Sequence, residues 1–240
     1  MISTHADTLV FDLGMNNGDD TASYLAAGHR VVALEANPEL AAAGRRRFAP
    51  EIAEGRLTIL AQAIWHTPGP LTFFINTTND HWSSLDAGWA GREDSACRPV
   101  EVQAVTLSEL IDRFGAPLYV KIDVEGVDQV VLDQIAGLPA RPRYVSVEDC
   151  RFGFDYIETL ARAGYTGFKL LDQSQVPDLV DRGLGLTYPR GSSGPFGEDV
   201  PGPWLSYDAM LASYSVTVRD RDGTRHAPRT HWWDIHATCG

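Results

Sequence analysis

Cysteine is scarce in this sequence. The three cysteines, Cys97, Cys150 and Cys239, lie far apart, and no Cys-x-x-Cys pair occurs. An odd number of cysteines at such spacing favours neither a disulfide framework nor a zinc ribbon. No Lys or Arg precedes the first apolar run, so no secretory signal peptide is expected. We therefore expect reduced thiols and a cytoplasmic protein.

Long apolar runs and positive charge are also lacking. No uninterrupted apolar stretch reaches the ~18 residues that a membrane-spanning helix requires, so no membrane partner is expected. Lys and Arg together number 20 against 32 Asp and Glu, which gives a formal net charge of -12 at pH 7. Because Lys and Arg contacts with phosphates supply most nucleic-acid affinity, this charge also disfavours DNA or RNA as a partner.

What is present is the pattern of one α/β domain. Of the 240 residues, 44% are hydrophobic, which is enough to bury a sizeable core. Strand patterns alternate with helix patterns, and this alternation predicts a mostly parallel sheet with helices on both faces. The predicted strands are 8–13, 30–35, 57–64, 71–75, 100–105, 118–123, 143–148, 165–171 and 232–237. The predicted helices are 20–27, 38–48, 107–114, 127–135, 154–163 and 207–214.

A Gly- and Pro-rich stretch precedes the last predicted helix and strand. Residues 173–205 are predicted to form a long loop, because eight glycines and prolines fall between positions 189 and 203. Structureless loops longer than about 12 to 15 residues in compact domains are often lids or binding loops. We predict a single domain with three segments: a cofactor-binding core (1–172), a substrate lid (173–206), and a helix and strand that complete the sheet (207–240).

A glycine-containing turn follows the first predicted strand. The sequence DLGMNNG spans residues 12–18, and its glycines permit a tight turn and close approach of a ligand to the backbone. Glu35 ends the second strand about 20 residues later, where an acidic side chain accepts hydrogen bonds from ribose hydroxyls. The glycines alone would fit an ordinary turn. Together with Glu35 they predict a site for an adenosyl ligand.

The same turn distinguishes between two adenosyl cofactors. The dinucleotide fingerprint Gly-x-Gly-x-x-Gly is broken, because Asn16 replaces its middle glycine. Asp19 and Asp20 place negative charge where a pyrophosphate would lie. S-adenosylmethionine has no phosphate and carries a sulfonium and an ammonium group, which an acidic turn attracts. The charge therefore favours S-adenosylmethionine over NAD.

A lysine and two carboxylates follow the apolar run at 118–120. The sequence KIDVEG spans residues 121–126, and the period-two geometry of an extended strand puts Lys121, Asp123 and Glu125 on one side. Gly126 then turns the chain into a helix. These side chains predict either catalytic groups at a strand end or an ion pair that stabilises it.

These motifs resemble those of the FkbM family of methyltransferases. The matching residues are DLGMNNG at 12–18, the strand end at Glu35, Ser83-Ser84-Leu85, Thr106-Leu107 and KIDVEG at 121–126, and the likeness covers residues 8–172. The sequence departs from the family at Met15, where Ala is usual, at Ser108, where Asp often follows Thr-Leu, and at Asp128, where Glu is common. These departures weaken the comparison at position 108 and leave the cofactor prediction intact.

The resemblance implies a class I methyltransferase fold, a Rossmann-like, doubly wound and mostly parallel sheet of seven strands with one antiparallel strand. It also implies transfer of a methyl group from S-adenosylmethionine to a hydroxyl of a sugar, glycoside or other natural product. The expected acceptor is thus a small molecule or an oligosaccharide. The residues implied at the cofactor site are Gly14, Asn16 and Gly18 for the methionyl part, Glu35 for the ribose, Gln62 and Ala63 for the adenine edge, and Asp12 and Ser84 from the matching motifs.

Methylation of an alcohol requires alignment of the acceptor and removal of its proton, by a base or with the help of a metal that lowers the hydroxyl pKa. Asp123, Glu148 and Asp149 end adjacent predicted strands and would form an oxygen site suited to Mg²⁺, in which Asp123 is catalytic. The alternative is a network of solvated carboxylates with Lys121 and Arg151.

Glu125 and His81 are the candidates for the base. An unperturbed histidine pKa of about 6.5 suits proton transfer near neutrality, although a histidine in a loop is often only solvated. His231 and His236 flank Trp232-Trp233-Asp234 at a spacing that matches no metal motif. The two tryptophans are expected to pack in the fold, and stacking of one indole on a sugar ring is the alternative.

Two other function classes stay open. A non-catalytic adenosyl-ligand-binding module would share the pocket at Gly14 and Glu35 but lack an acceptor site. A nicotinamide-dependent oxidoreductase would require the fingerprint that Asn16 breaks. The identity of the acceptor, the need for a metal and the oligomeric state do not follow from the sequence, which is compatible with a homodimer.

Overall fold

The computed structural model describes residues 8–181 and 183–240. Its strands are β1 (Leu9–Leu13), β2 (Arg30–Leu34), β3 (Leu57–Leu60), β4 (Gln62–Ile64), β5 (Gly69–Asn76), β6 (Cys97–Val105), β7 (Tyr119–Ile122), β8 (Tyr144–Glu148), β9 (Gly167–Asp172) and β10 (Trp233–Thr238). Its α-helices are α1 (Asp19–Ala26), α2 (Pro38–Arg47), α3 (Ala49–Ala53), α4 (Ala87–Ala90), α5 (Leu107–Phe114), α6 (Asp128–Gly137), α7 (Gly153–Arg162) and α8 (Tyr207–Thr217). Short 3₁₀ helices lie at Asp80–Trp82, Arg92–Asp94, Gln173–Asp178 and Gly197–Asp199. Among the described residues, no helix combines the length and apolar character needed to cross a membrane.

A seven-stranded sheet forms the centre of the molecule, in the order β3-β2-β1-β7-β8-β10-β9. Its neighbouring strands run parallel except β10, which is antiparallel to both β8 and β9. The strand order reverses between β1 and β7, and ligands of open α/β sheets bind beyond the carboxyl ends of the strands at such a point. The predicted doubly wound sheet with one antiparallel strand is confirmed.

Local sequence sets two helix starts beside this sheet. The side chain of Asn37 accepts a hydrogen bond from the backbone N–H of Glu39 at 3.0 Å, and Pro38 occupies the first position of α2. Thr106 caps α5, and the carboxylate of Glu109 accepts a bond from the backbone N–H of Thr106 at 2.8 Å. Both caps agree with the sequence prediction.

The predicted strand at 57–64 requires a correction. β3 ends at Leu60 and pairs with β2, whereas β4 begins at Gln62 and pairs with β6 in a second sheet of order β4-β6-β5. Both halves are apolar and extended, so the periodicity of the sequence does not mark the break at Ala61. The break carries Ala63 to the edge of a cleft at the carboxyl ends of the main strands.

The two faces of the main sheet are covered differently. Helices α5, α6, α7 and α8 cover one face, and α1, α2 and α3 pack on the other face against β1, β2 and β3. Described residues of the Gly- and Pro-rich segment also pack on that second face, where Phe196 contacts the rings of Tyr119 and Tyr144.

Two contacts show how the segment is attached. Phe196 stacks on Tyr119 with 4.1 Å between the ring centroids, and Nζ of Lys169 donates to the carbonyl of Val200 at 2.6 Å. In its described residues, the predicted long loop therefore contains two short 3₁₀ helices and several packed side chains. Its exposed residues lie mainly in 178–181 and 183–191.

Gly14 lies where the end of β1 approaches the end of β7. Its φ is 90°, and a Cβ atom placed on it would be 1.8 Å from the carbonyl oxygen of Asp123. Gly28 has the same φ of 90°, but a Cβ atom there would meet no heavy atom within 4 Å. A comparison of substitutions at these two glycines therefore separates the free-energy cost of a left-handed backbone from that of a steric clash.

We expect Gly28→Ala to lower the free energy of unfolding by about 1 kcal/mol, because a residue with Cβ is strained at this φ. Gly14→Ala should cost at least about 3 kcal/mol, because the backbone of β7 must move as well. Urea denaturation followed by circular dichroism measures both values. Equal losses in the two variants would show that the approach of Asp123 does not constrain Gly14.

Candidate active site

A cleft opens at the carboxyl ends of β1, β2 and β7. It is partly open to solvent, and both polar and apolar residues line it. Five residues of the predicted cofactor site line it: Gly14, Asn16, Glu35, Gln62 and Ala63. Three residues of the predicted catalytic set also line it: His81, Asp123 and Glu125. The sequence prediction thus brings both sets to one cleft.

The carboxylate of Glu35 is the most firmly held polar group in the cleft. Its Oε2 accepts a bond from the backbone N–H of Asn16, and its Oε1 accepts one from Asn37, each at 2.7 Å. Burial raises the pKa of Glu35 to about 7, against these two hydrogen bonds, which lower it. Each carboxylate oxygen has a second lone pair, so Glu35 can also accept bonds from ligand hydroxyls.

Apolar side chains that the sequence analysis missed form another part of the wall. They are Leu34, Ile64, Phe73, Leu85, Val124 and Val127. Phe73 and Ile64 belong to the second sheet, and its packing beside β2 depends on contacts far apart in the sequence. A flat, apolar wall of this kind suits the adenine ring of an adenosyl ligand.

Asp12, Gly18 and Ser84 do not line this cleft, so their assignment to the cofactor site stays a prediction. Asp12 is fully buried and accepts a hydrogen bond from Thr21 at 2.5 Å. Gly18 precedes α1 with a φ of 83°, and a Cβ atom there would be 2.6 Å from the ring of Phe48. Asp12 and Gly18 therefore pack the turn after β1 against Thr21 and Phe48.

Ser84 is also fully buried, and its hydroxyl donates to the backbone carbonyl of Glu125 at 2.5 Å. It therefore ties the loop after β5 to the motif after β7. Its neighbour Ser83 lines the cleft instead. Membership in a family motif predicted proximity for these residues but not direct contact with the cleft.

Lys121 lies buried beneath the cleft among acidic side chains. Its Nζ has three carboxylate neighbours: Asp12 at 3.5 Å, Asp20 at 3.6 Å and Asp123 at 3.4 Å. It also donates to the carbonyl of Gly14 at 2.8 Å. Burial by itself lowers the pKa of Lys121, but the carboxylates outweigh it and hold that pKa well above its usual value. Lys121 is therefore charged at neutral pH and connects β1, α1 and β7.

Three carboxylates converge at the rim of the cleft. Asp123, Glu125 and Glu148 each place one oxygen within 4.8 Å of the others. Burial raises the pKa of Glu125 to about 8 and that of Glu148 well above its usual value, and the neighbouring carboxylates add to both shifts. Carboxylate oxygens at this spacing can share a proton or bind a hard cation.

Asp149 does not join this cluster, which corrects its assignment as a metal ligand. Consecutive side chains of a strand point to opposite faces, so Glu148 and Asp149 diverge. Asp149 instead accepts a hydrogen bond from the hydroxyl of Tyr214 and lies 3.5 Å from Arg219 and 3.3 Å from Arg225. It attaches α8 and the segment after it to the end of β8.

The two candidate bases differ in how they are held. Oε2 of Glu125 accepts bonds from Nε1 of Trp89 and from Arg92, each at 2.8 Å. His81 is exposed in the 3₁₀ helix Asp80–Trp82, with its Nε2 4.0 Å from Asp80. Both side chains reach the cleft, so the structure leaves both candidates in place.

The C-terminal aromatic residues lie at the same edge of the sheet. Trp233 packs against the core as expected, whereas Trp232 is 50% exposed. His231 hydrogen-bonds Asp172 at 2.7 Å, and His236 is buried, which lowers its pKa to about 3. None of these residues lines the cleft described above.

The strand order, the antiparallel β10 and the position of the cleft define the class I methyltransferase fold. A family model described as the methyltransferase FkbM domain matches residues 12–169, more than half of the chain. The chain therefore belongs to the FkbM family of methyltransferases, which confirms the resemblance seen in its motifs. Fold and family together identify a methyltransferase of the S-adenosylmethionine-dependent type and favour it over a nicotinamide-dependent enzyme.

Solved structures are similar to this chain at low sequence identity. A methyltransferase FkbM from Methylobacillus flagellatus KT is 14% identical with a TM-score of 0.44, and the match covers 68% of this chain and 40% of that chain. The C-terminal domain of precorrin-6Y C5,15-methyltransferase from Rhodobacter capsulatus is 11% identical with a TM-score of 0.46, and the match covers 99% of this chain and 83% of that chain. No curated protein matches the sequence. Neither solved structure bears on the acceptor at this level of similarity.

The two lysines of the chain are both buried, and they permit a matched test of the role of Lys121. Lys121→Met should lower the free energy of unfolding by about 3–5 kcal/mol, because it leaves buried carboxylates without a cation. Lys169→Met removes hydrogen bonds to the carbonyls of Gly197 and Val200 and should cost about 1–3 kcal/mol. Chemical denaturation measures both losses. If Lys121→Met proves the milder change, the ion cluster does not hold the site together.

Proposed function

We propose that this protein is an S-adenosylmethionine-dependent O-methyltransferase that acts on a hydroxyl of a sugar, glycoside or other natural product. The observation that supports the proposal is the convergence of Asp123, Glu125 and Glu148 beside the cleft that contains Glu35. An alcohol must lose its proton as its oxygen becomes methylated, and carboxylates are suited to accept that proton or to promote its release.

The residues of the cleft fit S-adenosylmethionine. Glu35 would accept hydrogen bonds from the ribose hydroxyls, and Ala63 with the apolar wall would contact the adenine. Gly14 and Asn16 would border the methionyl part. When bound, the cofactor supplies an electrophilic methyl group on a positively charged sulfur.

The chain contributes alignment and proton removal. With cofactor and acceptor bound, the cleft would hold the acceptor hydroxyl in line with the methyl–sulfur bond, so that an oxygen–carbon bond could form as the carbon–sulfur bond breaks and its electron pair returns to sulfur. The hydroxyl proton passes to Glu125 or to His81, which both line the cleft. A neutral thioether, a methyl ether and a protonated side chain result, so charge and atoms balance.

We further propose that Asp123 and Glu148, with Glu125 as a third oxygen donor, bind a divalent cation such as Mg²⁺. Three carboxylates within 4.8 Å repel one another, and a hard cation with oxygen ligands would relieve this repulsion. Such a cation would also lower the pKa of an acceptor hydroxyl. With Glu125 engaged as a ligand, His81 is the candidate base.

The lid role is proposed for the exposed part of the Gly- and Pro-rich segment. The packed part includes Ser193, whose backbone N–H donates to Asp20 at 2.9 Å next to Lys121. Residues 183–191, most of which are exposed, precede this anchor in the sequence. Lids of this kind sequester the acceptor from water during transfer.

Glu35→Gln should weaken binding of S-adenosylhomocysteine by about tenfold or more, because it replaces a charged acceptor of the ribose hydroxyls. Since the pKa of Glu35 is raised to about 7 and the hydroxyls bind the charged form, affinity of the unchanged protein should increase as pH rises through 7. The variant should lack this pH dependence. Titration calorimetry measures both, with Glu39→Gln on the exposed surface of α2 as the control. Unchanged affinity in Glu35→Gln would remove Glu35 from the site.

Chelation should test the proposed cation. EDTA should inhibit methyl transfer reversibly, with Mg²⁺ restoring the rate, and Asp123→Asn should abolish turnover while cofactor binding persists. Glu148→Gln should raise the Mg²⁺ concentration for half-maximal rate by about tenfold or more. Asp149→Asn is the matched control, because its carboxylate faces away from the cluster and should leave that concentration unchanged. Full activity of enzyme shown to be metal-free by elemental analysis would leave the carboxylates as bases or structural groups.

A further inference from the structure

An alternating stack of aromatic rings and guanidinium groups borders the carboxylate cluster. Arg92 lies between Trp82 and Trp89, with its Cζ 4.6 Å from the centre of each ring. Arg151 lies between Trp89 and Phe152, with its Cζ 5.2 Å and 4.9 Å from the ring centres. These contacts link five side chains, which we term the arginine stack: Trp82, Arg92, Trp89, Arg151 and Phe152.

The arginine stack contacts the rim of the cleft through Glu125. Nε1 of Trp89 and a guanidinium nitrogen of Arg92 each donate to Oε2 of Glu125 at 2.8 Å. Arg151 follows three residues after Glu148, the last residue of β8. Its guanidinium contacts the ring of Trp89, whose Nε1 donates to Glu125 of the carboxylate cluster.

The two arginines differ in what their N–H groups bind. Arg92 donates to the carbonyls of Trp82 and Trp89 at 3.5 Å and 2.8 Å and forms an ion pair with Glu125. Arg151 is exposed, and no hydrogen bond or ion pair connects it to residues 8–181 or 183–240. The N–H groups of Arg151 are therefore open to a ligand at the rim.

We propose that Arg151 binds an anionic group of the acceptor, so that the acceptor carries a carboxylate or a phosphate in addition to the hydroxyl that becomes methylated. This inference rests on the proposed methyl transfer to a hydroxyl. The planar guanidinium matches both oxyanions through paired hydrogen bonds. The flanking rings hold the side chain in one orientation, so less conformational entropy is lost when an anion binds.

The acidic surroundings do not exclude an anion at this position. Glu125 is paired with Arg92, and Asp123 is paired with Lys121. Two of the three carboxylates of the cluster therefore already have cations. Arg151 is an additional positive charge at the rim with no counter-ion in the described part of the chain.

The aromatic rings of the stack leave little room for a neutral sugar to bind by stacking. The ring of Trp89 is contacted by the guanidinium groups of Arg92 and Arg151, and it also lies against Gly126. Recognition by this part of the rim therefore falls to the N–H groups of Arg151. Its preference should be for charge rather than for an apolar sugar face.

Pairs of acceptors that differ only in an anionic group test the inference. Methyl transfer from labelled S-adenosylmethionine is measured with glucose, glucuronate and glucose 6-phosphate, and with catechol and 3,4-dihydroxybenzoate. We expect the anionic members to have a kcat/KM about tenfold or more above that of their neutral partners, with a preference that declines as ionic strength rises. The rates with glucuronate and glucose 6-phosphate show whether the enzyme prefers a carboxylate or a phosphate.

Variants of Arg151 test whether this residue causes the preference for anionic acceptors. Arg151→Gln should raise KM for the anionic acceptors about tenfold and leave the neutral acceptors unchanged, and Arg151→Lys should fall between the two. Arg113→Gln is the matched control, because Arg113 is also exposed and lies 4.7 Å from a single ring, that of Phe114, at the end of α5. It should change neither class of acceptor.

Three outcomes overturn the inference. Equal rates for the charged and neutral members, or an equal effect of Arg151→Gln on both, would remove the anion site while methylation of hydroxyls still stands. Methylation of none of the hydroxyl compounds, with S-adenosylhomocysteine binding intact, would overturn the proposed O-methylation and this inference with it. Thermal denaturation of each variant establishes that a changed KM does not reflect unfolding.

Discussion

One buried ammonium group connects the elements that surround the cleft. Lys121 joins the turn after β1, through the carbonyl of Gly14, to Asp20 of α1 and to Asp123 beyond β7. Buried carboxylates without a cation cost several kcal/mol, so this group balances charges that would otherwise separate the two loops. Because Gly14 and Asp123 also line the cleft, the cofactor site and the carboxylate cluster depend on the same interaction.

The parts of the fold that the sequence predicts are those that depend on local chemistry. The caps at Asn37 and Thr106 and the alternation of strands with helices follow from residues close together in the chain. The break between β3 and β4 follows from pairing with β6, about forty residues away, and leaves no mark in the periodicity. The burial of segment 173–205 likewise depends on a sheet face that α1, α2 and α3 leave uncovered, which composition alone does not reveal.

The candidate site likewise contains some residues that the sequence predicts and others that it does not. Glu35 and Asp123 were predictable, because strand ends near the switch point of a parallel sheet converge at one edge. Asp149 follows the end of β8 and bonds to Tyr214 instead of joining the carboxylate cluster, and Ser84 connects two loops without lining the cleft. Phe73 reaches the wall through the second sheet, and the arginine stack depends on three loops. No spacing rule in the sequence anticipates either arrangement.

The burial of both lysines has a consequence for the chemistry of the protein surface. Reagents that modify amines find no exposed lysine side chain in the folded chain, so acylation of Lys121 or Lys169 reports opening of the second sheet face rather than surface accessibility. Apart from histidine and the α-amino group, the positive charge that faces solvent is carried by arginine. Because guanidinium does not lose its proton at any pH where proteins fold, that part of the surface charge stays constant under alkaline conditions.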